Sequence, residues 1–186
     1  MTTQTKDAIK NSFMKLLNRK PLSKITVKEI VEDCGINRNS FYYHFEDIPH
    51  LIEEIFNEQA DAFFQPEQNE SIYGCMTTAI RFALQNKTAL MHIFNSANRE
   101  MFERYLNSVA ARTVESYVEY YTANYRISDE NREALVLYYK SLLIGFVMDW
   151  LSGGMRYDLA EKLRRVCGVF EGTFDNAMRN CSKMKE

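Results

Sequence analysis

Glycine and proline are scarce in this chain, and that scarcity constrains the fold more than any other feature of the sequence. Only 7 glycines and 3 prolines occur among the 186 residues. Folds built from many short strands need frequent turns, and these two residues supply the backbone conformations of most turns. The hydrophobic content of 46% is that of a globular protein. The composition therefore predicts an all-α fold made of long helices.

Apolar residues recur at spacings of three and four along most of the chain, a pattern that predicts about nine helices. The first covers residues 5–19 and must end before Pro21, because the residue preceding a proline is disfavoured in the α-helical region. The segment 65–70 contains a proline and no large hydrophobic residue, so we expect a break there. Later helices are predicted over residues 71–84, 88–94, 99–125, 128–152 and 158–178.

Residues 26–44 carry the signals of two short helices joined by a tight turn. Thr26 and Glu29 lie three apart, as in a capping box, where the two residues satisfy each other's backbone N–H groups. Gly35 stands where a helix end favours a left-handed residue, and Asn37 is a preferred N-cap for the helix that follows. Two short helices in this arrangement outline a helix-turn-helix motif.

The second of these short helices has an apolar face and a polar face. Phe41 and Phe45 are four residues apart and, with Ile36, are expected to fix the helix to its domain. The opposite face is formed by Arg38, Asn39, Tyr42 and Tyr43, with His44 at its edge. Arginine and asparagine read guanine and adenine edges in the major groove, while tyrosine and histidine can bond phosphates. This pattern favours a DNA-recognition helix, and the alternative is an ordinary surface helix rich in aromatic residues.

Charge is distributed unevenly along the chain, although the formal net charge is only −2. The first 50 residues contain eight Lys and Arg and six Asp and Glu, whereas the remainder is acidic. The N-terminal segment is therefore the more basic part. The start of the helix after Thr26 offers free backbone N–H groups and the Lys28 ammonium, which together suit a phosphate.

The sequence lacks the motifs of common enzyme, metal and membrane proteins. No Gly-rich phosphate loop, G-x-S-x-G or H-E-x-x-H occurs, and the 4 cysteines form no C-x-x-C pair. We therefore expect no enzyme activity, no metal and no cofactor. The N-terminus has no signal-peptide core, and no run of about 18 consecutive apolar residues occurs. These absences predict a cytoplasmic protein without a membrane partner.

The segment TVKEIVEDCGINRNSFYYHF, residues 26–45, resembles the DNA-binding domain of TetR-family transcriptional regulators. The resemblance covers about residues 5–55. The matching positions are Thr26, Ile30, Val31, Gly35, Ile36, Ser40, Phe41, Tyr42, His44, Phe45 and Leu51. It implies a three-helix helix-turn-helix DNA-binding domain over residues 1–47, and a helical effector-binding and dimerisation domain over residues 48–186.

The resemblance also implies a function and a set of contacts. Members of this family are homodimers that bind a palindromic double-stranded operator, usually as repressors that a small-molecule effector releases. By this analogy the base-facing residues are Lys28, Arg38, Asn39 and Ser40, and the phosphate-contacting residues are Thr26, Tyr42, Tyr43 and His44. The family usually has a phosphate-binding lysine where this chain has Ile48, just after the predicted helix cap Asp47, and His50 is the nearest replacement.

The last two predicted helices are too apolar for helices with only one buried side. Such a helix lies in a core or at an interface, and TetR-family dimers pair their last two long helices with those of a second subunit. Ser141 and Gly145 are four apart and would let another helix approach closely. The predicted dimer interface comprises Ser141, Gly145, Met148, Leu163, Phe170 and Phe174. The alternative is that these residues form the core of a monomer.

Many aromatic residues lie between the DNA-binding segment and the last two helices. The resemblance implies an effector pocket there, lined by Phe82, Phe102, Tyr105, Tyr117 and Tyr121. No dense cluster of charges is present, so an effector would be small and apolar or amphipathic. A second hypothesis is a helical interaction protein of TetR fold, regulated by a protein partner and binding DNA weakly. Ile48 in place of lysine favours that hypothesis.

Overall fold

The computed structural model describes residues 2–63, 72–122 and 127–183. These residues form ten α-helices, one short 3₁₀ helix at Leu22–Lys24 and no strand. The α-helices are α1 Thr2–Leu17, α2 Val27–Cys34, α3 Arg38–His44, α4 Ile48–Phe63, α5 Ile72–Gln85, α6 Lys87–Phe94, α7 Arg99–Thr122, α8 Asp129–Ser152, α9 Leu159–Val169 and α10 Thr173–Cys181. The all-α prediction is confirmed, and the predicted break at residues 65–70 lies outside the described residues.

The chain divides into two compact units. The first unit comprises Met1–Ala62 and Ala83–Tyr105, and the second comprises Phe63–Phe82 and Leu106–Glu186. Helix α6 and the first turns of α7 therefore belong with the N-terminal helices, although they follow α4 by many residues. Each unit has its own set of buried apolar side chains.

The start of the helix-turn-helix follows the sequence prediction closely. The Thr26 hydroxyl accepts the Glu29 N–H at 3.3 Å, and the Glu29 carboxylate accepts the Thr26 N–H at 3.1 Å, which completes the capping box. Gly35 ends α2 with φ of 69°. A side chain with a Cβ rarely adopts that left-handed conformation, so glycine suits this position.

The two helices that follow are also capped as predicted. The Asn37 side-chain oxygen accepts the Ser40 N–H at 2.8 Å, at the start of α3. The Asp47 carboxylate accepts the His50 N–H at 2.8 Å, at the start of α4. Because each cap satisfies backbone donors that have no partner within the helix, the boundaries are fixed by local interactions.

Helix α1 holds the first unit together. Its side chains Ile9, Phe13 and Leu17 are fully buried. Near the start of the helix, Lys6 forms an ion pair with Glu54 of α4 at 2.5 Å. The end of α1 is bound by α6, because the His92 ring Nδ1 donates to the Leu17 carbonyl oxygen at 2.8 Å. This carbonyl is among those that an α-helix leaves without an internal donor.

The second unit has a core formed by α7, α8 and α10. Val114 and Val118 of α7 are completely buried against Leu135 of α8 and Met178 of α10. Tyr139 and Phe174 are partly buried and pack at the edge of this cluster, with ring centroids 5.1 Å apart. The core thus joins helices that are separated by up to 64 residues in sequence, Val114 to Met178.

The predicted last helix over residues 158–178 is wrong in one respect, because it is two helices. Helix α9 ends at Val169, and α10 begins at Thr173 after Gly172, which has φ of 76°. The Thr173 N–H and hydroxyl both donate to the Phe170 carbonyl oxygen, which closes the turn between them. Phe170 and Phe174 are four residues apart, and this spacing predicted one uninterrupted helix. Gly172, between them, instead adopts the left-handed conformation that ends a helix.

Candidate nucleic-acid interface

Helix α3 is anchored by its apolar side and exposes its polar side. Phe41 and Phe45 are 0% and 1% exposed, and their ring centroids are 5.7 Å apart. Tyr42 and Tyr43, which lie between them in sequence, are 46% and 76% exposed. The predicted division of this helix into an anchoring face and a presented face is confirmed for these four aromatic residues.

Arg38 lies at the start of α3 and contacts Tyr42 one turn later. The Arg38 Nη2 donates to the Tyr42 hydroxyl oxygen at 3.1 Å. The guanidinium carbon also lies 5.5 Å from the Tyr42 ring centroid, which is within the range of a cation–π interaction. Both side chains are exposed, so the guanidinium is available on the same surface as the tyrosine ring.

The other residues of the predicted base-facing set differ in exposure and in the hydrogen bonds or ion pairs that their side chains already form. Asn39 is exposed on α3. The Ser40 hydroxyl donates to the Asn37 cap oxygen at 3.1 Å, so its hydrogen is already used. Lys28 is exposed on α2, with its ammonium 3.8 Å from Glu32, a loose pair in which both side chains remain in solvent.

The predicted phosphate-contacting residues lie on the same unit but are engaged to different extents. The Thr26 hydroxyl donates to the Glu29 carboxylate at 3.2 Å, so the capping box uses both its acceptor and its donor function. Tyr43 packs edge-on against His44, with centroids 5.0 Å apart. Tyr43 is 76% exposed, whereas His44 is half-buried.

Five of the six lysines in residues 2–50 form ion pairs with a carboxylate. The sequence analysis did not predict this pairing. The five pairs are Lys6–Glu54, Lys10–Glu58, Lys15–Asp33, Lys20–Glu29 and Lys28–Glu32. Arg19, Lys24 and Arg38 form no ion pair within 4.0 Å in the described residues. The first two pairs join side chains 48 positions apart, so no local pattern could have predicted them.

The ion pairs lower the pKa of three carboxyl groups. The Lys20 hydrogen bond lowers the pKa of Glu29, the Lys15 hydrogen bond lowers the pKa of Asp33, and the Lys6 hydrogen bond lowers the pKa of Glu54. Each group therefore favours the folded state when it is ionised. That stabilisation is present above the unfolded-state pKa, about 4, and is lost as the pH falls through the lowered folded values.

We expect the urea midpoint of unfolding to be nearly constant between about pH 6 and pH 5 and to fall below about pH 4.5. Asp33→Asn removes one of these lowered pKa values and one ion-pair partner. It should reduce the midpoint at pH 6 and make the acid dependence shallower. A variant with the acid dependence of the unmodified chain would contradict this assignment.

The first turn of α4 contains Ile48 and, two residues later, His50. Ile48 is half-buried. His50 Nδ1 accepts the Glu46 N–H at 3.2 Å, and the ring lies edge-on against Phe45 at 6.0 Å. Because Nδ1 acts as an acceptor, the ring hydrogen is on Nε2 in the neutral form. That N–H is a donor of the kind that could bond a phosphate oxygen.

Two family profiles match this chain. Residues 14–55 match "Bacterial regulatory proteins, tetR family", and residues 70–172 match "Transcriptional regulator C-terminal region". The second match alone covers more than half of the chain. The chain belongs to the TetR family of transcriptional regulators.

Solved structures of other proteins share the fold. The "Dihydroxyacetone kinase operon activator DhaS" superposes with a TM-score of 0.73 at 16% identity, over 92% of this chain and 97% of that chain. NalD, "the secondary repressor of MexAB-OprM multidrug efflux pump in Pseudomonas aeruginosa", superposes with a TM-score of 0.58 at 16% identity, over 100% of both chains. A TetR regulator from Rhodococcus sp. RHA1 superposes with a TM-score of 0.55 at 16% identity, over 89% of this chain and 95% of that chain. At these identities the likeness concerns the fold alone.

The aromatic residues predicted to line an effector pocket in this TetR-family chain fall into both units. In the first unit, Phe102 is buried and Tyr105 stacks on Phe56 with centroids 4.4 Å apart. In the second unit, Tyr117 packs edge-on against Phe174 at 4.9 Å. Phe82 also belongs to the second unit and is half-buried, and the Tyr121 side chain lies outside the described residues. The pocket itself remains a prediction.

The residues predicted for the dimer interface also differ in exposure. Ser141 and Gly145 are exposed on α8, and an added Cβ at Gly145 would meet no atom within 4 Å. Phe170 is 60% exposed. Leu163 is buried within its own chain. Met148 and Phe174 are half-buried, and Phe174 packs on the core of the second unit.

Helix α8 presents a continuous exposed stripe of apolar and small side chains. Its members are Ala134, Leu137, Tyr138, Ser141, Leu142 and Gly145. They recur at spacings of three and four, so they lie along one side of the helix. Val169 and Phe170, at the end of α9, are exposed as well. The predicted interface included Ser141, Gly145 and Phe170 but not Ala134, Leu137, Tyr138, Leu142 or Val169. Because α8 is apolar nearly all round, its faces cannot be told apart by periodicity.

Among the described helices, α8 alone is long and apolar enough to cross a membrane by length and composition. Helix α8 nevertheless contains no run of about 18 consecutive apolar residues, because Lys140 and Asp149 interrupt it. Few residues of its most apolar window are buried within the chain. A helix of this kind also occurs where one protein surface covers another.

Proposed function

We propose that this TetR-family chain is a cytoplasmic, homodimeric repressor that binds a palindromic double-stranded operator and is released by a small effector. One observation carries the proposal most directly. The exposed side of α3 presents Arg38 and Asn39, both without a carboxylate partner in the described residues, on a helix capped at its start and anchored by two buried phenylalanines. A short, rigid helix with such side chains suits direct readout in the major groove.

The exposed stripe on α8 supports the dimer. Leu137, Tyr138 and Leu142 together form an apolar surface of a kind that monomers seldom leave in water. Gly145 and Ser141 on the same side would let a second helix approach closely. A twofold axis beside α8 would bring the same stripe of two chains together, and the dimer would carry two α3 helices, one for each half-site.

Contacts of α4 within the first unit suggest how an effector could act. Lys6 and Lys10 of α1 pair with Glu54 and Glu58 of α4, and Phe56 of α4 stacks on Tyr105 of α7. A shift of α4 would therefore carry α1 and the helices packed on it. Release requires that the effector bind the two arrangements with different affinity. An apolar or amphipathic effector fits the aromatic content of α5 to α7.

Binding to DNA from the chain's own upstream region, followed by fluorescence anisotropy, tests this function. Among residues 2–50, the cations without a close carboxylate are Arg19, Lys24 and Arg38, and Lys28 is only loosely paired. A dimer would then engage phosphates or bases with up to about eight cations, which gives a log–log salt slope of about −7 or shallower.

The salt slope separates three results. A slope between about −3 and −7 supports the proposal, because several phosphates are then neutralised. A slope well beyond −7 would mean that the paired lysines also reach DNA, which contradicts the ion-pair assignment. No binding, or binding without salt dependence, would sink the operator proposal.

A second candidate is a regulator that works chiefly through a protein partner and contacts DNA weakly. Two observations favour it: Ile48 provides no cation at the start of α4, and five lysines are already paired.

One similar fold belongs to an operon activator and another to a repressor, so the fold leaves open whether the chain activates or represses transcription. A reporter gene placed behind the chain's own promoter decides the sign, since deleting a repressor raises expression and deleting an activator lowers it.

A further inference from the structure

The side chain of Arg38 is held by a neighbour on its own helix. Its Nη2 lies 3.1 Å from the Tyr42 hydroxyl oxygen, and its guanidinium carbon lies 5.5 Å from the centre of the same ring. Among the described residues, Arg38 makes no other hydrogen bond or ion pair. Tyr42 is thus the one group in that part of the chain that restricts the guanidinium.

Tyr42 is itself well placed to act as a fixed support. Its ring packs edge-on against Phe41, with centroids 5.5 Å apart and planes at 83°. Phe41 is fully buried, so this contact ties the tyrosine ring to the core of the first unit. The adjacent Tyr43 differs, since it packs only on the half-buried His44 and its hydroxyl has no hydrogen bond among the described residues.

A free arginine loses rotamer entropy when it is fixed on a base edge. A partner that restricts the side chain beforehand lowers this cost and sets the direction of its donors. The Tyr42 hydroxyl uses a lone pair to accept from Nη2, and this leaves the other donors of the guanidinium free for a base.

We propose that Tyr42 is a positioning residue for Arg38, and that it sets base preference rather than serving mainly as a phosphate contact. This inference rests on the proposed DNA-binding function. The two roles of Tyr42 have different consequences. A phosphate contact adds the same affinity to every sequence, whereas a support for Arg38 adds affinity only where the correct base is present.

Selection from a randomised double-stranded DNA library, followed by sequencing, measures base preference without knowledge of the operator. The unmodified chain is compared with Arg38→Ala, Tyr42→Phe, Tyr43→Phe and the double variant Arg38→Ala/Tyr42→Phe. Tyr42→Phe retains the ring and its contact with Phe41 and removes only the hydroxyl. Thermal unfolding of each variant checks that the helix-turn-helix remains folded.

Tyr42→Phe should weaken base preference at the same position as Arg38→Ala, with a loss of discrimination of about three- to tenfold. In the double variant, Tyr42→Phe should cost little beyond Arg38→Ala, because the residue that it positions is gone. Tyr43→Phe should change affinity by the same factor for every sequence and leave the preference profile intact.

Three outcomes would overturn the inference. If Tyr42→Phe lowers affinity equally for all sequences and retains the profile, then the tyrosine is a phosphate contact and the positioning role is wrong. If Tyr42→Phe weakens preference just as much when Arg38 is alanine, then it acts independently of Arg38. If the unmodified chain selects no sequence at all, the proposed operator-binding function fails, and the inference that rests on it fails too.

Discussion

Arg38→Ala is expected to weaken binding to the operator by about 1–3 kcal/mol, roughly 5- to 150-fold, and to relax preference at one base position. The arginine is exposed on α3, has no carboxylate partner in the described residues and is directed by Tyr42. Its loss removes a forked pair of donors and leaves a base edge without its partner in the complex. Titration of the selected operator, and of variants changed at single positions, measures both effects.

Arg164→Ala is the matched control for this prediction. It removes the same charge from α9, where the arginine pairs with Glu161 at 2.8 Å. It should leave base preference unchanged. If Arg38→Ala has no more effect on the operator than Arg164→Ala, then α3 does not read bases through this residue.

Leu142→Glu is expected to convert the dimer to monomers and to abolish tight operator binding at nanomolar concentrations. Leu142 is 43% exposed in the middle of the α8 stripe, so the chain itself should tolerate the change. In a twofold interface, the substitution would bury two unpaired carboxylates near each other, at a cost of about 3 kcal/mol or more. Sedimentation velocity measures the assembly, and circular dichroism measures whether the helices remain.

Leu84→Glu makes the same chemical change at an exposed leucine of α5, outside the stripe. It should leave the sedimentation coefficient of the dimer unchanged. A dimeric Leu142→Glu variant, or a monomer in both variants and in the unmodified chain, would contradict the proposed interface.

The helix-turn-helix could be predicted from sequence almost residue by residue, for a physical reason. Its boundaries depend on partners three to five positions apart: the Thr26–Glu29 box, the left-handed Gly35 and the Asn37 cap. Such interactions are local, so the residue types that make them appear together in the sequence. The anchoring of Phe41 and Phe45 could be predicted for the same reason.

Features that depend on distant partners could not be predicted in this way. The Lys6–Glu54 and Lys10–Glu58 pairs join α1 to α4, and the His92 ring binds the end of α1 from α6. The exposed side of α8 could not be identified either, because the faces of a helix that is apolar all round do not differ in hydrophobicity. The turn at Gly172 was not predicted, because Phe170 and Phe174 on either side of it have the four-residue spacing of a continuous helix.

The paired lysines have a consequence for how this protein would search a genome. Sequence-independent attraction to DNA comes almost entirely from cations that displace counterions from phosphates. A surface whose lysines already hold Glu29, Asp33, Glu54 and Glu58 has few such cations to offer. Its residence on random DNA would be short, so a larger share of the molecules would be free to occupy the operator. Discrimination would then depend on a few directed contacts such as Arg38, and a cell would need fewer copies to keep the site filled.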